Sequence, residues 1–258
     1  MGGLLLSEKV RSGDRAFSLG YSVVGTTDLY RRQEAYHSAD TSFDVLGSYR
    51  ILPVLNVGLA LGAGREVSGE KRWLLSDGAV KIGGRVAELG EWTVAQVSVQ
   101  ALLPFSQESG EVRSTRTTLT VTPSVTQDLE SVGLKHVALT FSLGFSRALH
   151  QYETSATGAS NKVWGVNERL GLEWKVTKRV SLSAFIAQGN AWTYEGNLTQ
   201  SLSSGQELDI ILERKTNLAL MVGHRLGGDQ LKPNGQDTSI ELFNSNASVL
   251  FLGLAQTF

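Results

Sequence analysis

From Phe17 onward, apolar side chains recur at every second position through a series of short stretches, the period of a strand with one apolar face. The first stretch sets Phe17, Leu19, Tyr21 and Val23 against Ala16, Ser18, Gly20 and Ser22. The second sets Phe43, Val45, Tyr49 and Ile51 against Asp44, Ser48 and Arg50, and the third sets Leu55, Val57, Leu59 and Leu61 against Asn56, Gly58, Ala60 and Gly62. Val80, Ile82 and Val86 then oppose Lys81, Gly83 and Arg85, and Ala95, Val97, Val99 and Ala101 oppose Gln96, Ser98 and Gln100. In the sixth stretch Leu119, Val121 and Val125 face away from a row of threonines, and Pro123, with no N–H to give a ladder, predicts a local irregularity. The seventh is the clearest, with Val137, Leu139, Phe141, Leu143 and Phe145 against Ala138, Thr140, Ser142, Gly144 and Ser146.

The eighth stretch carries Trp164, Val166, Leu170, Leu172 and Trp174 on one face, and Glu168 falls among them. That predicts either a bulge that resets the register or a different pairing. Val180, Leu182, Ala184 and Ile186 open the ninth. The tenth starts somewhere between Leu198 and Gln206, its firm part being Leu208, Ile210 and Leu212 against Glu207, Asp209 and Glu213. Leu218, Leu220 and Val222 make the eleventh, and Ser248 to Phe258 the twelfth. The connections alternate. Long polar gaps at 26–41, 65–76, 104–115, 148–162 and 227–238 are interleaved with short turns near Pro53, Gly90, Lys178 and Lys215 and a turn over 128–133, and only the gap near Trp192 is indistinct. An even number of hairpin-linked strands with this order puts loops at one end and turns at the other.

In the last strand Leu250, Leu252 and Leu254 share a face, and the count continues through Gln256 to Phe258. This terminal pattern resembles the closing strand of Gram-negative outer-membrane β-barrels, whose assembly machinery recognises a terminal Phe preceded by alternating apolar residues. Members of that group usually have an aromatic where this chain has Gln256. The resemblance implies an all-β fold, a transmembrane antiparallel up-and-down barrel of about twelve strands over residues 15–258. Residues 1–14 are then a leader or a segment inside the lumen. It also implies an integral place in the cell outer membrane, with outer-membrane lipid and lipopolysaccharide, the barrel assembly machinery and small solutes as partners. Leu250, Leu252, Leu254 and Phe258 become the assembly signal.

Composition fits. The chain has 258 residues, 41% hydrophobic, yet no apolar run approaches a membrane-spanning helix, as expected when outward and inward residues alternate. No Trp sits at a strand middle, which suits girdles at the two rims. A formal net charge of -1 gives no reason to expect nucleic acid. There is no cysteine, hence no disulfide or thiol chemistry. Met1 to Leu6 is too short for a signal-peptide core and has no cleavage site after it, so the chain reads as a mature protein with an added start methionine.

Candidate chemistry is sparse. His37, His136, His150 and His224 form no metal-ligand spacing, and no cofactor motif is present. Ser146 and His150 share a strand face but nothing orients the imidazole, so outer-membrane hydrolase chemistry finds no pattern here. The faces opposite the apolar ones are small and hydroxylated, suited to an aqueous lumen. Arg50, Lys81, Arg85 and Arg116 lie on the second, fourth and sixth strands, and Glu173, Glu207, Asp209 and Glu213 on the eighth and tenth. A basic wall facing an acidic wall is the expectation, with Asp44 and Arg169 interrupting it. Two functions suit such a barrel: a diffusion channel for small hydrophilic solutes, or a structural or surface-binding barrel acting through its loops.

Overall fold

The computed structural model describes residues 16–28, 39–67, 71–226 and 248–258. The expectations for residues 1–14, His37 and the 227–238 gap lie outside those residues. Thirteen strands run in chain order: β1 Phe17–Asp28, β2 Ala39–Leu52, β3 Leu55–Glu66, β4 Trp73–Leu75, β5 Gly78–Glu88, β6 Thr93–Leu103, β7 Thr115–Asp128, β8 Val137–His150, β9 Lys162–Lys175, β10 Val180–Thr193, β11 Leu198–Glu213, β12 Leu218–Leu226 and β13 Ser248–Thr257. All pairings are antiparallel. Twelve strands close into a barrel, and the short β4 extends the wall by pairing with Ala63–Arg65 of β3 beyond the point where β5 stops. The ring closes where β1 pairs with β13, and there the Phe258 N–H donates to the Leu19 carbonyl at 2.8 Å.

Alternation decides which way each side chain points. On β1, Phe17, Leu19, Tyr21 and Val23 are exposed, while Ser18, Ser22 and Val24 are buried. The pairing register carries this parity around the ring, so Leu59, Phe141, Leu172 and Leu220 also face outward, as expected. A predominantly apolar exterior of this kind is the chemistry of a surface that meets hydrocarbon.

One row of partners measures the belt. Trp174 pairs with Leu182, and the row continues through Leu208, Val222, Leu252, Gly25, Thr41 and Arg65 to Trp73. It starts at the short-turn end and finishes at the loop end, because strands in a closed barrel are tilted. Eight steps of about 4.8 Å at a tilt of about 40° climb roughly 25 Å, the height of an outer-membrane apolar band. The tryptophans mark its edges. Trp92 and Trp174 lie at the turn end, and Trp73 and the directly paired Trp164 and Trp192 at the loop end.

Three details differ from the sequence expectation. The 65–76 gap contains β4. The connection between β10 and β11 is short, Tyr194–Asn197, because β11 starts at Leu198. No bulge resets the middle of β9: Glu168 pairs with Gln188 on one side and Leu143 on the other, and faces outward. Gln188, Asn190, Gln200, Gln206 and His224 share its parity on β10–β12, so one sector of the exterior carries a polar patch. Pro123 behaves as expected, since the ladder from β7 to β8 lacks rungs between Val121 and Ser124. At the loop end the buried Asn161 donates through Nδ2 to the carbonyls of Arg113 and Tyr152, at 2.9 and 3.0 Å, stapling two outer loops together.

Candidate functional site

The inward parity defines a lumen with unlike walls. From β6, β7 and β8 the side chains turned inward include Gln96, Ser98, Gln100, Thr120, Thr122 and Ser142. Away from the strand ends no titratable group faces inward from these three strands. Thr126 and Thr140 hydrogen-bond across strands at 3.0 Å. This wall offers donors and acceptors without net charge.

The adjoining arc, β9 to β13, is built differently. Phe185 of β10 and Phe251 of β13 point inward, and each lies over the glycine directly paired with it. A Cβ at Gly205 would come within 2.6 Å of Phe185 Cε1, and one at Gly223 within 2.2 Å of Phe251 Cζ, so only glycine lets the rings lie flat. Arg169 stacks over Phe185 at 4.1 Å and Arg225 over Phe251 at 4.5 Å, cation–π contacts that hold both guanidinium groups against the wall. Arg225 also approaches the buried Glu207, Nη2 to Oε2 3.9 Å. Val24, Met221, Phe251 and Ala255 form a small apolar cluster on the same side. This arc is therefore not uniformly small and hydroxylated.

The register turns Arg50, Lys81 and Arg85 inward on β2 and β5, with Arg85 ion-paired to Glu88. Glu173, Glu207 and Asp209 point inward on β9 and β11, and Ser181 Oγ donates to Asp209 at 3.4 Å. Two of the charges stand apart. Arg116 occupies a bulge between Thr115 and Thr117 at the loop end. Glu213 follows a register shift at the turn end and accepts a hydrogen bond from Thr216 Oγ1 at 3.0 Å. Arg225 and Arg169 interleave with the acids, and Asp44 shares the inward parity of Arg50, so neither wall carries one sign alone. Of these, Arg225 and the two inward phenylalanines escaped sequence reasoning. The signal that finds them is a Phe on the small-residue parity opposite a Gly on the next strand.

Leu250, Leu252 and Leu254 are exposed on the outer face of β13, and Phe258 stands at its turn end with its ring 6.1 Å from that of Tyr21. The Tyr21 hydroxyl donates to Gln256 Oε1 across the seam. No hydrogen bond joins Ser146 to His150; the imidazole meets Tyr194 edge-on at 5.8 Å. Among the described residues no group of three His, Asp or Glu side chains gathers in metal-binding geometry.

Solved structures share this architecture. An outer-membrane channel from Pseudomonas putida F1 superposes with a TM-score of 0.62 at 10% identity, covering 94% of this chain and 96% of that one. The NanC porin gives 0.58 at 10% identity, over 92% of this chain and 98% of its own. The fold is that of outer-membrane porins. The KdgM porin has it too, at a TM-score of 0.52 and 7% identity, over 93% of this chain and 99% of that one. No protein-family model and no curated protein matches the sequence. In this chain the fold encloses an uncharged hydroxyl wall and a wall of stacked arginines and buried acids.

Proposed function

We propose that the chain is an integral outer-membrane barrel serving as a channel for passive diffusion of small hydrophilic solutes. The observation that carries this reading is the inward hydroxyl and amide wall of β6–β8 behind an apolar exterior about 25 Å tall. Such a wall exchanges hydrogen bonds with water and solute without the Coulombic trap of a fixed charge. The structural neighbours, an outer-membrane channel and two porins, support this reading. Arg50, Lys81 and Arg85 on one side and Glu173, Glu207 and Asp209 on another give the lumen a transverse field, moderated where Arg169 and Arg225 sit among the acids. The second reading, a surface-binding barrel, is favoured by the Asn161 staple, which gives two outer loops a fixed form.

Purified protein reconstituted in a planar bilayer tests the choice. Discrete conductance steps in potassium chloride are expected. A barrel that inserts and stays silent at all voltages removes the channel and leaves the surface-binding reading.

A further inference from the structure

The exterior carries a groove of about 550 Å³ at the loop end of the β1–β4 sector, within the ~300–1,000 Å³ range of small-ligand sites. Val23, Phe43, Val67 and Trp73 line it, together with Arg65 and Lys71. By register Val23, Phe43, Arg65 and Trp73 face outward, so the groove opens to the surroundings of the barrel and not to the lumen. Gly25 and Ala63 lie in the same two rows of partners, and their small side chains leave space between the large ones.

Three observations converge on an occupant. The groove ends at Trp73, the upper end of the row that climbs from Trp174, and so lies at the level where acyl chains meet headgroups. Among the described residues its apolar lining is left largely uncovered: Trp73 is 67% exposed and Phe43 42%. Its cations are placed. The Arg65 guanidinium lies 5.7 Å from the Trp73 ring centre, a stacking that fixes one face and leaves the N–H edge for an anion. Lys71 is held at a φ of 53°, with the neighbouring Arg72 carbonyl tied to the Glu66 N–H at 3.2 Å. Glu66, the one acid among the lining residues, has the inward parity of its partner Asp40.

We propose that this groove binds one phosphate-bearing lipid of the outer leaflet, a lipid A-type molecule. An acyl chain lies along Val23, Phe43 and Trp73, and a phosphate sits on Arg65 and Lys71. Charge-assisted hydrogen bonds from two cations suit a phosphate monoester, while an apolar groove alone would accept any chain. The proposal rests on the outer-membrane reading, with the loop end outside.

The test is native mass spectrometry of the full barrel released from mixed micelles of lipid A and phosphatidylcholine. One retained lipid A per barrel is expected, favoured over phosphatidylcholine by about tenfold, the scale of one charged hydrogen bond. The double substitution Arg65→Gln with Lys71→Gln should bring the two lipids to parity, and Phe43→Ala should lower retention of both. Equal retention of the two lipids by the parent overturns the proposal, as does an undiminished preference in the double variant. Insertion into phosphatidylcholine vesicles is scored separately. A barrel that enters them but shows no lipid A preference loses the groove alone, and one that enters no bilayer loses the membrane reading with it.

Discussion

Glu168 lies between Trp164 and Trp174 on the outward face of its own strand, far from either rim, and among the described residues no hydrogen bond or ion pair reaches it. A carboxylate there meets hydrocarbon unless it is covered. Leu139, also outward and four rungs from Leu143, the partner of Glu168, is the matched opposite. Glu168→Leu should therefore stabilise the barrel by about 1–2 kcal/mol, while Leu139→Arg should destabilise it by about 2–4 kcal/mol. Urea unfolding in lipid vesicles, followed by tryptophan fluorescence, reads both. The same sign for the two substitutions would show that Glu168 is already withdrawn from lipid by a partner.

At the scale of the strand, legibility in the sequence followed the exterior. Wherever the outward face was apolar, as on β3 or β8, the period was plain and the parity correct. β11 is blurred over its first half because its outward residues there include Gln200, Ser204 and Gln206, which break the apolar alternation begun by Leu198 and Leu202. The Glu168 anomaly has the same origin, since it belongs to the same polar sector. The Arg225–Phe251 and Arg169–Phe185 stacks depend on which residues lie opposite across strands, and a single strand's pattern does not hold that information. For β13 the expectation concerns assembly. Deleting Phe258 removes one exposed ring, which costs about 1–2 kcal/mol at most, and two backbone bonds to Leu19. Outer-membrane levels in cells should fall steeply while the protein refolded in detergent keeps nearly its parent stability. Equal levels of the truncated and full-length chains would leave the terminal residue with a structural role only.

At the scale of the whole molecule, the inward charges of the proposed channel are expected to set a field across the passage. Opposed charges in a narrow aqueous passage are less screened than on an open surface. Replacing Arg50, Lys81 and Arg85 with Ser should shift reversal potentials toward cations and raise single-channel conductance. Unchanged selectivity would mean that local pairing, as between Arg85 and Glu88, has already cancelled the field. The seam has a kinetic consequence as well. Every other neighbouring pair of barrel strands is consecutive along the chain, apart from the short β4 between β3 and β5, but Tyr21 and Gln256 are 235 positions apart. Closing that interval costs roughly 3 kcal/mol more chain entropy than closing a ten-residue loop, and no partial sheet recovers it. Before the last pairing the molecule is an open ribbon with two raw edges, β1 and β13, each able to capture a strand of another chain. The slow step in refolding is thus expected to be the meeting of those edges, and losses to aggregation should rise with protein concentration only until they meet.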